Sequence, residues 1–356
     1  MFAAIACGAG SASAQITQAA PYTPPDDTPS IRVGATLFGD YTYTQSPQTP
    51  DSDGNLINPS EFSVRRSYIN ITGDISHLVA FRITPDVARE TNPASPLSGS
   101  LEFRIKYAFA QFNLDDWITK GSWARLGIQQ TPWVDFEEGI YRYRFQGTVF
   151  SERENFLSSS DAGASFHYNF PSNYGDVHVG LYNGENYNKA EVNDQKAFQI
   201  RASVRPLAGG APVWRGLRAH VFYDADHYVR NADRKRFVGS VTVEHAYLNA
   251  GVDYLKATDQ TSITKPEGSG SGYSVWATPR SPKGWEGLLR FDHLTPNTAS
   301  DLQTRNRTIA GVAYWFPHQG SVSTALLLDY DGQTFENVTP AQPAQRKIAV
   351  HALVNF

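Results

Sequence analysis

Sulfur is nearly missing from this chain: one cysteine, Cys7, and one methionine, Met1, serve 356 residues. Cys7 lies in an N-terminal stretch that reads as a leader, so the mature chain is expected to have no cysteine. That removes disulfide frameworks, cysteine metal sites and cysteine nucleophiles together. Long hydrophobic runs are missing too. No window holds the roughly 20 apolar residues a membrane helix needs, which excludes a helical membrane protein. An excess of one charge is missing: the net charge is −4, so no basic field points to nucleic acid. Catalytic spacing is missing as well. His167, His178, His220, His293 and His351 are scattered, with no H-E-x-x-H pair and no G-x-S-x-G elbow. The stretch Gly268-Ser269-Gly270-Ser271-Gly272 has neither a following lysine nor a helix pattern and reads as a loop. Asp51-Ser52-Asp53-Gly54-Asn55 has Phe62 where a calcium loop needs its closing glutamate, so it reads as a solvated turn. No enzyme activity, metal or cofactor is expected.

The N-terminus is small and apolar and ends in Ala12-Ser13-Ala14, an A-x-A cleavage pattern without a positive n-region. Residues 1–14 therefore read as the tail of a secretory signal. Ala4 stands where a lipobox around Cys7 would have leucine, which argues against lipidation. Residues 15–30, rich in Pro, Thr and Asp, read as a flexible lead-in.

What the chain does have is alternation. From Ile31 on, nearly every segment repeats with period two. Ile31, Val33, Ala35 and Leu37 share one face; Val79, Phe81 and Ile83 lie opposite Arg82, Thr84 and Asp86. Phe103, Ile105, Tyr107 and Phe109 read as one apolar face opposite Glu102, Arg104 and Lys106. Phe198, Ile200, Ala202 and Val204 oppose Gln199, Arg201, Ser203 and Arg205, and Leu217, Ala219, Val221 and Tyr223 oppose Arg218, His220 and Asp224. About 16 strands are predicted, at 31–44, 62–73, 77–88, 101–114, 122–130, 161–170, 174–185, 195–205, 215–227, 236–245, 247–257, 270–280, 283–294, 304–316, 320–332 and 345–356. Short turns and long loops alternate. The long ones are 45–61, 89–100, 131–160, 184–194, 228–235, 258–269, 295–303 and 333–344. The aromatic share is high, at 13%, which suits the girdles of a membrane barrel. The chain ends on a strand with Ile348, Val350, Ala352, Val354 and Phe356 on one face and Lys347, His351 and Asn355 on the other. A bare terminal strand invites aggregation unless it has a partner. An even strand count gives it one, antiparallel to the strand at Ile31. The fold class read here is all-β: a transmembrane antiparallel β-barrel over residues 31–356 in a bacterial outer membrane. Outer-membrane lipids are its surroundings, and Phe356 is its interface anchor and signal to the barrel assembly machinery.

Five stretches resemble the phosphate-selective porin O and P family of Gram-negative outer membranes. They are Phe62-Ser63-Val64-Arg65-Arg66, Leu126-Gly127-Ile128-Gln129-Gln130-Thr131-Pro132, and Ser151-Glu152-Arg153-Glu154-Asn155-Phe156. Pro279-Arg280-Ser281-Pro282-Lys283-Gly284-Trp285-Glu286 and Leu289-Arg290-Phe291-Asp292-His293-Leu294 continue the pattern. The resemblance implies a 16-stranded barrel, a homotrimer, and a third extracellular loop folded into the lumen.

In such a barrel, chemistry means selectivity at a constriction. The longest loop, 131–160, is the expected constriction. It carries Asp135, Glu137 and Glu138, then Tyr141-Arg142-Tyr143-Arg144-Phe145, then Arg153. Arginines facing the pore would favour anions, because the guanidinium fork binds oxyanions and stacks on rings. The alternative is that they pair with Asp135, Glu137 or Glu138 and pin the loop to the wall. Lipid rejects charge at about 2–4 kcal/mol near midplane. Arg66, Arg82, Arg104, Lys106, Arg201, Arg218 and Arg290 should therefore face the lumen, beside the carboxylates Asp86, Glu102, Asp176, Asp224, Glu244, Asp253, Asp292 and Asp329. An anion ladder and an ion-paired wall are both open. The reading is a diffusion porin for small hydrophilic solutes or ions, with a modest phosphate-like anion preference. A ligand-uptake or adhesion barrel and a secreted all-β binding protein are the alternatives.

Overall fold

The structure, a computed structural model, describes residues 27–90, 92–300, 303–318 and 322–356. The predicted leader 1–14 and most of the lead-in lie outside the described residues. Sixteen strands form one closed antiparallel barrel: β1 (Ser30–Ser46), β2 (Ser60–Asp74), β3 (Val79–Arg89), β4 (Leu101–Asn113), β5 (Trp123–Gln130), β6 (Ser160–Asn169), β7 (Gly175–Tyr182), β8 (Ala197–Val204), β9 (Leu217–Val229), β10 (Ala232–His245), β11 (Leu248–Asp259), β12 (Gly268–Pro279), β13 (Trp285–Thr295), β14 (Thr304–Phe316), β15 (Ser323–Glu336) and β16 (Gln345–Asn355). Each strand pairs with its sequence neighbour, and β16 closes on β1 from Asn355 opposite Thr36 to Arg346 opposite Ser46. Phe356 completes the seam, exchanging two 3.0 Å backbone hydrogen bonds with Ala35. Gly34 makes that approach possible, since a Cβ there would lie 2.4 Å from the Phe356 carbonyl oxygen.

Alternation sorts the two faces as the pattern predicts. On β16, Ile348, Val350, Val354 and Phe356 are exposed on the outside, while His351 and Asn355 are buried inside. Val221, Val241, Val252, Leu289, Leu326 and Leu328 continue the apolar exterior around the barrel, with Tyr223, Tyr254, Tyr273 and Tyr330 exposed among them. This exterior is what lipid requires and water does not tolerate, which rules out the secreted alternative. No helix among the described residues is long and apolar enough to cross a membrane.

The sequence reading fails where parity breaks. Tyr107 and Phe109 face inward, not outward with Phe103 and Ile105. The register shifts between Thr84 and Pro85 on β3, leaving Lys106 as an extra residue on β4. Proline has no N–H to give the ladder, and a bulge opposite it absorbs the mismatch and inverts every later side chain. A second bulge, where Phe38 pairs with Arg66 but Gly39 pairs with Val64, turns Arg65 inward beside Arg66. Loop sorting is also less strict than expected. The predicted long loop 228–235 is a tight turn between Val229 and Ala232, while the connection between the predicted strands 195–205 and 215–227, absent from the long loops, holds a four-residue helix, Pro212–Arg215.

Candidate functional site

The segment joining β5 to β6 folds into the lumen, and its sequence explains how. Pro132 ends the strand. Helix α1 (Val134–Tyr141) follows, with Asp135 and Glu137 in the first turn where the helix dipole favours carboxylates. It stops at Arg142, whose left-handed backbone (φ 68°) turns the chain and returns an N–H to the Glu138 carbonyl at 2.8 Å. A second short helix, α2 (Phe150–Arg153), precedes the return to β6. Trp133, Val134, Ile140, Tyr141, Tyr143, Phe145, Val149 and Phe150 are buried in one cluster with inward residues of the wall. Those wall residues include Phe222, Val238, Leu255, Trp276, Leu288, Ile309, Leu327 and Leu353. The landing surface is thus a dry strip, and burial of aromatics on it is what draws the loop inside.

Polar wall side chains then satisfy the loop's backbone. Arg201 donates to the Pro132 carbonyl at 2.9 Å, Asn249 to Ile140 at 2.9 Å, Arg290 to Thr148 at 2.9 Å and Arg236 to Phe156 at 3.1 Å. Buried carbonyls need such partners. Two of the predicted lumen arginines, Arg201 and Arg290, are therefore occupied as props. Each also carries its own carboxylate, Asp176 for Arg201 and Asp292 at 2.7 Å for Arg290. The rest of the predicted basic wall points inward and divides into two kinds. Arg66 and Arg104 share Asp86 at 2.7 and 3.2 Å, and Arg218 meets Glu244 at 3.0 Å. Arg82 and Lys106 make no ion pair among the described residues. The Arg82 guanidinium donates to Asn70 at 2.8 Å and lies 4.5 Å from the Tyr107 ring centroid, and Lys106 lies 5.0 Å from the Tyr68 ring.

The loop arginines are all paired; Arg144 takes one of the partners weighed on sequence, and Arg142 and Arg153 do not. Arg144 meets Glu138 at 2.8 Å, within the loop. Arg142 reaches Glu286 of β13 at 3.3 Å and covers the Trp315 ring at 4.4 Å. Arg153 reaches Asp331 of β15 at 3.5 Å, while donating to Gln146 at 2.8 Å and to the Thr148 carbonyl at 3.2 Å. Two of the three therefore fasten the loop to the far wall through carboxylates outside it. The acidic run is buried beneath the loop. Asp135 accepts from Tyr107 at 2.7 Å, and Glu137 lies against Asp253 of β11. Tyr141 packs on Trp276 and Tyr143 on Trp315, at 5.3 and 5.9 Å between centroids.

What stays open beside the loop is a cavity of about 530 Å³ between its Arg144–Thr148 edge and the wall of β1, β2 and β14 to β16. Its lining carries Arg65, Arg66, Arg89, Arg144, Arg153, Arg307 and Lys347 against three carboxylates, Glu61, Asp329 and Asp331. Arg65, Arg89 and Arg307 were not singled out from sequence; Lys347 was already placed on the inward face of the terminal strand. Alternation on β14 could have found Arg307, whereas Arg65 faces in only because of its bulge. Other openings lie toward the short-turn end: about 280 Å³ against β5 to β9, and about 700 Å³ beneath Arg142 and Glu286.

No protein-family model matches the chain, and no curated protein matches it. Solved structures do. An anion-selective porin from Comamonas acidovorans aligns with a TM-score of 0.65 at 13% identity, over 92% of this chain and 100% of that one. OmpT of Vibrio cholerae, folded in vitro and described in its trimer form, gives 0.59 at 12% identity over 93% and 100%. OmpF of Salmonella typhi, in complex with daunomycin, gives 0.59 at 10% identity over 92% and 97%. At such identities the likeness establishes the fold, a closed 16-strand antiparallel barrel. Together with the apolar exterior, that fold makes this a bacterial outer-membrane protein.

Proposed function

We propose that the barrel is a diffusion channel that passes small hydrophilic solutes and prefers anions modestly. The observation that carries this reading is the cavity beside the inserted loop, with seven cationic side chains against three carboxylates on its lining. The counter-charges Asp40, Asp86 and Glu138, which pair with Arg65, Arg66 and Arg144, do not belong to that lining. A permeating ion therefore meets the arginines first. In this reading Arg144 and Arg153 act on the solute. Arg142, Tyr141, Tyr143, Asp135, Glu137 and Glu138 hold the loop's shape.

The resemblance to the phosphate-selective O and P porins supports the class of solute. The pairing of Arg66, Arg104, Arg201, Arg218 and Arg290 favours a general anion preference over a dedicated phosphate ladder. A homotrimer fits the same reading, given the trimeric form of the Vibrio cholerae neighbour. The test is a reversal potential across a planar bilayer in a tenfold KCl gradient. A potential on the chloride side is expected. A cation-selective channel, or folded protein without conductance, would refute the proposal.

A further inference from the structure

We propose a separate oxyanion-holding site at the short-turn mouth, the periplasmic end of an outer-membrane barrel, on the other side of the inserted loop from the seven-cation vestibule. It rests on the channel reading above but not on the vestibule residues. The site is the opening of about 280 Å³ against β5 to β9, whose rim includes the turn residues Gly121 and Asn173. Its centre is Arg125. This side chain is 6% exposed and has no carboxylate partner among the described residues. Its guanidinium lies 3.7 Å from the Trp123 ring centroid and 4.6 Å from Phe109, and it is steered by two neutral acceptors. Nε donates to Gln111 at 2.9 Å and Nη1 to Gln130 at 3.0 Å. Nη2 donates to nothing among the described residues. The fork is thus held rigid by rings and amides, while its charge is left uncompensated.

Gln130 sharpens the assignment. Because its carbonyl accepts from Arg125, its amide nitrogen must be the other end of the side chain. Gln130 lines the opening, and that nitrogen is buried with no acceptor among the described residues. A buried N–H2 without an acceptor costs about 1–3 kcal/mol, which an incoming oxygen would recover. His178 and Arg205 also line the opening, and Arg205 makes no ion pair among the described residues. The two carboxylates on the lining are engaged, Asp176 by Arg201 and Asp135 by Tyr107. Rigid, unpaired donors around a small polar space select a small oxyanion, a carboxylate or phosphate group, bound by the Arg125 fork. The rings of Trp123 and Phe136 do not offer a hydrophobic shelf. Arg125 and His167 stack on the first, and Arg201 lies 3.7 Å over the second.

Folded protein in planar bilayers tests this, with succinate or inorganic phosphate titrated into the chamber on the periplasmic side while chloride current is read. Saturable block is expected, weaker by about tenfold or more in Arg125→Gln, the loss expected for one charged hydrogen bond. Gln130→Glu should weaken the block comparably, because it gives Arg125 an internal carboxylate at nearly constant volume; this variant decides the matter if Arg125→Gln does not fold. Block by both probes marks the site as a general oxyanion site, and block by one alone names its ligand. A conducting wild-type channel that shows no saturable block overturns the inference, as does block unchanged in both variants. A cation-side reversal potential in the same membranes would instead sink the vestibule selectivity, leaving Arg125-dependent block to be read on its own.

Discussion

Asp331→Asn is the sharpest perturbation of the vestibule. Its carboxylate bridges Arg307 of β14 at 2.8 Å and Arg153 of the inserted loop at 3.5 Å. The amide keeps the volume and removes one of the three lining carboxylates, leaving seven cations against two. One unit charge about 8 Å from a permeating ion in water-like surroundings is worth about 0.5 kcal/mol unscreened. With a Debye length of about 10 Å in 0.1 M salt, about 0.2 kcal/mol survives, and about 0.4 kcal/mol in 0.01 M. Anions gain this and cations lose it. The chloride-to-potassium permeability ratio should therefore rise about twofold at 0.1 M and about fourfold at 0.01 M. Arg153 keeps its bonds to Gln146 and Thr148, so the loop stays in place. The two lost pairs are partly solvated and cost about 1–2 kcal/mol of barrel stability. The assay is the reversal potential in a tenfold KCl gradient at both ionic strengths. An unchanged ratio at 0.01 M, or a shift toward potassium, would show that the vestibule does not lie on the conduction path.

Glu286→Gln strips Arg142 and Arg280 of their common carboxylate. The folded band on an unboiled gel should disappear at lower temperature, for a loss of about 3–5 kcal/mol on breaking a buried pair, and the open-channel current should become noisier. Gly147→Ala should separate selectivity from stability. A Cβ there would sit 2.0 Å from Arg153 Nη2, the far end of a flexible side chain. The guanidinium must move, so anion preference should fall while the melting temperature barely changes. At the periplasmic turns, His77 bridges Asp27 at 2.6 Å and Asp116 at 3.1 Å, and the Asp27 hydrogen bond holds its pKa above the ordinary 6.5. Asp27 itself is lowered by the same bond. The His77 contribution is complete below its ordinary pKa and is lost as pH rises through the raised value. The Asp27 contribution is present above 3.8 and is lost as pH falls through the lowered one. NMR titration of His77 should show a midpoint above 6.5 that returns toward it in Asp27→Asn; an unshifted wild-type midpoint would deny the bridge.

Most of the barrel was legible because alternation is a local property. A strand that faces lipid on one side writes its parity into every second residue, so Val221, Val350 and Leu289 point out and Asp224, His351 and Arg290 point in. Parity alone misassigned Tyr107 and Phe109, although Pro85 was a visible warning: a proline inside a strand removes a ladder donor and calls for a bulge. The landing strip for the loop was also half-visible. Ala325-Leu326-Leu327-Leu328 is apolar on both faces, which a strand with water on one side would not need.

The sequence by itself determined the class of fold, the strand order, that charges on the strands face inward, and which loop was the candidate to enter the lumen. These follow from chain length, period and the cost of charge in lipid. Only the tertiary structure decided what the inward charges do. Arg201 and Arg290 hold loop carbonyls, Arg142 is tied to Glu286 and Arg153 to Asp331, and Arg125 is left with an unused donor. Those pairs join residues as much as 178 positions apart. Which acceptor a guanidinium finds depends on barrel closure and on where a 30-residue loop settles, and no local pattern encodes that distance.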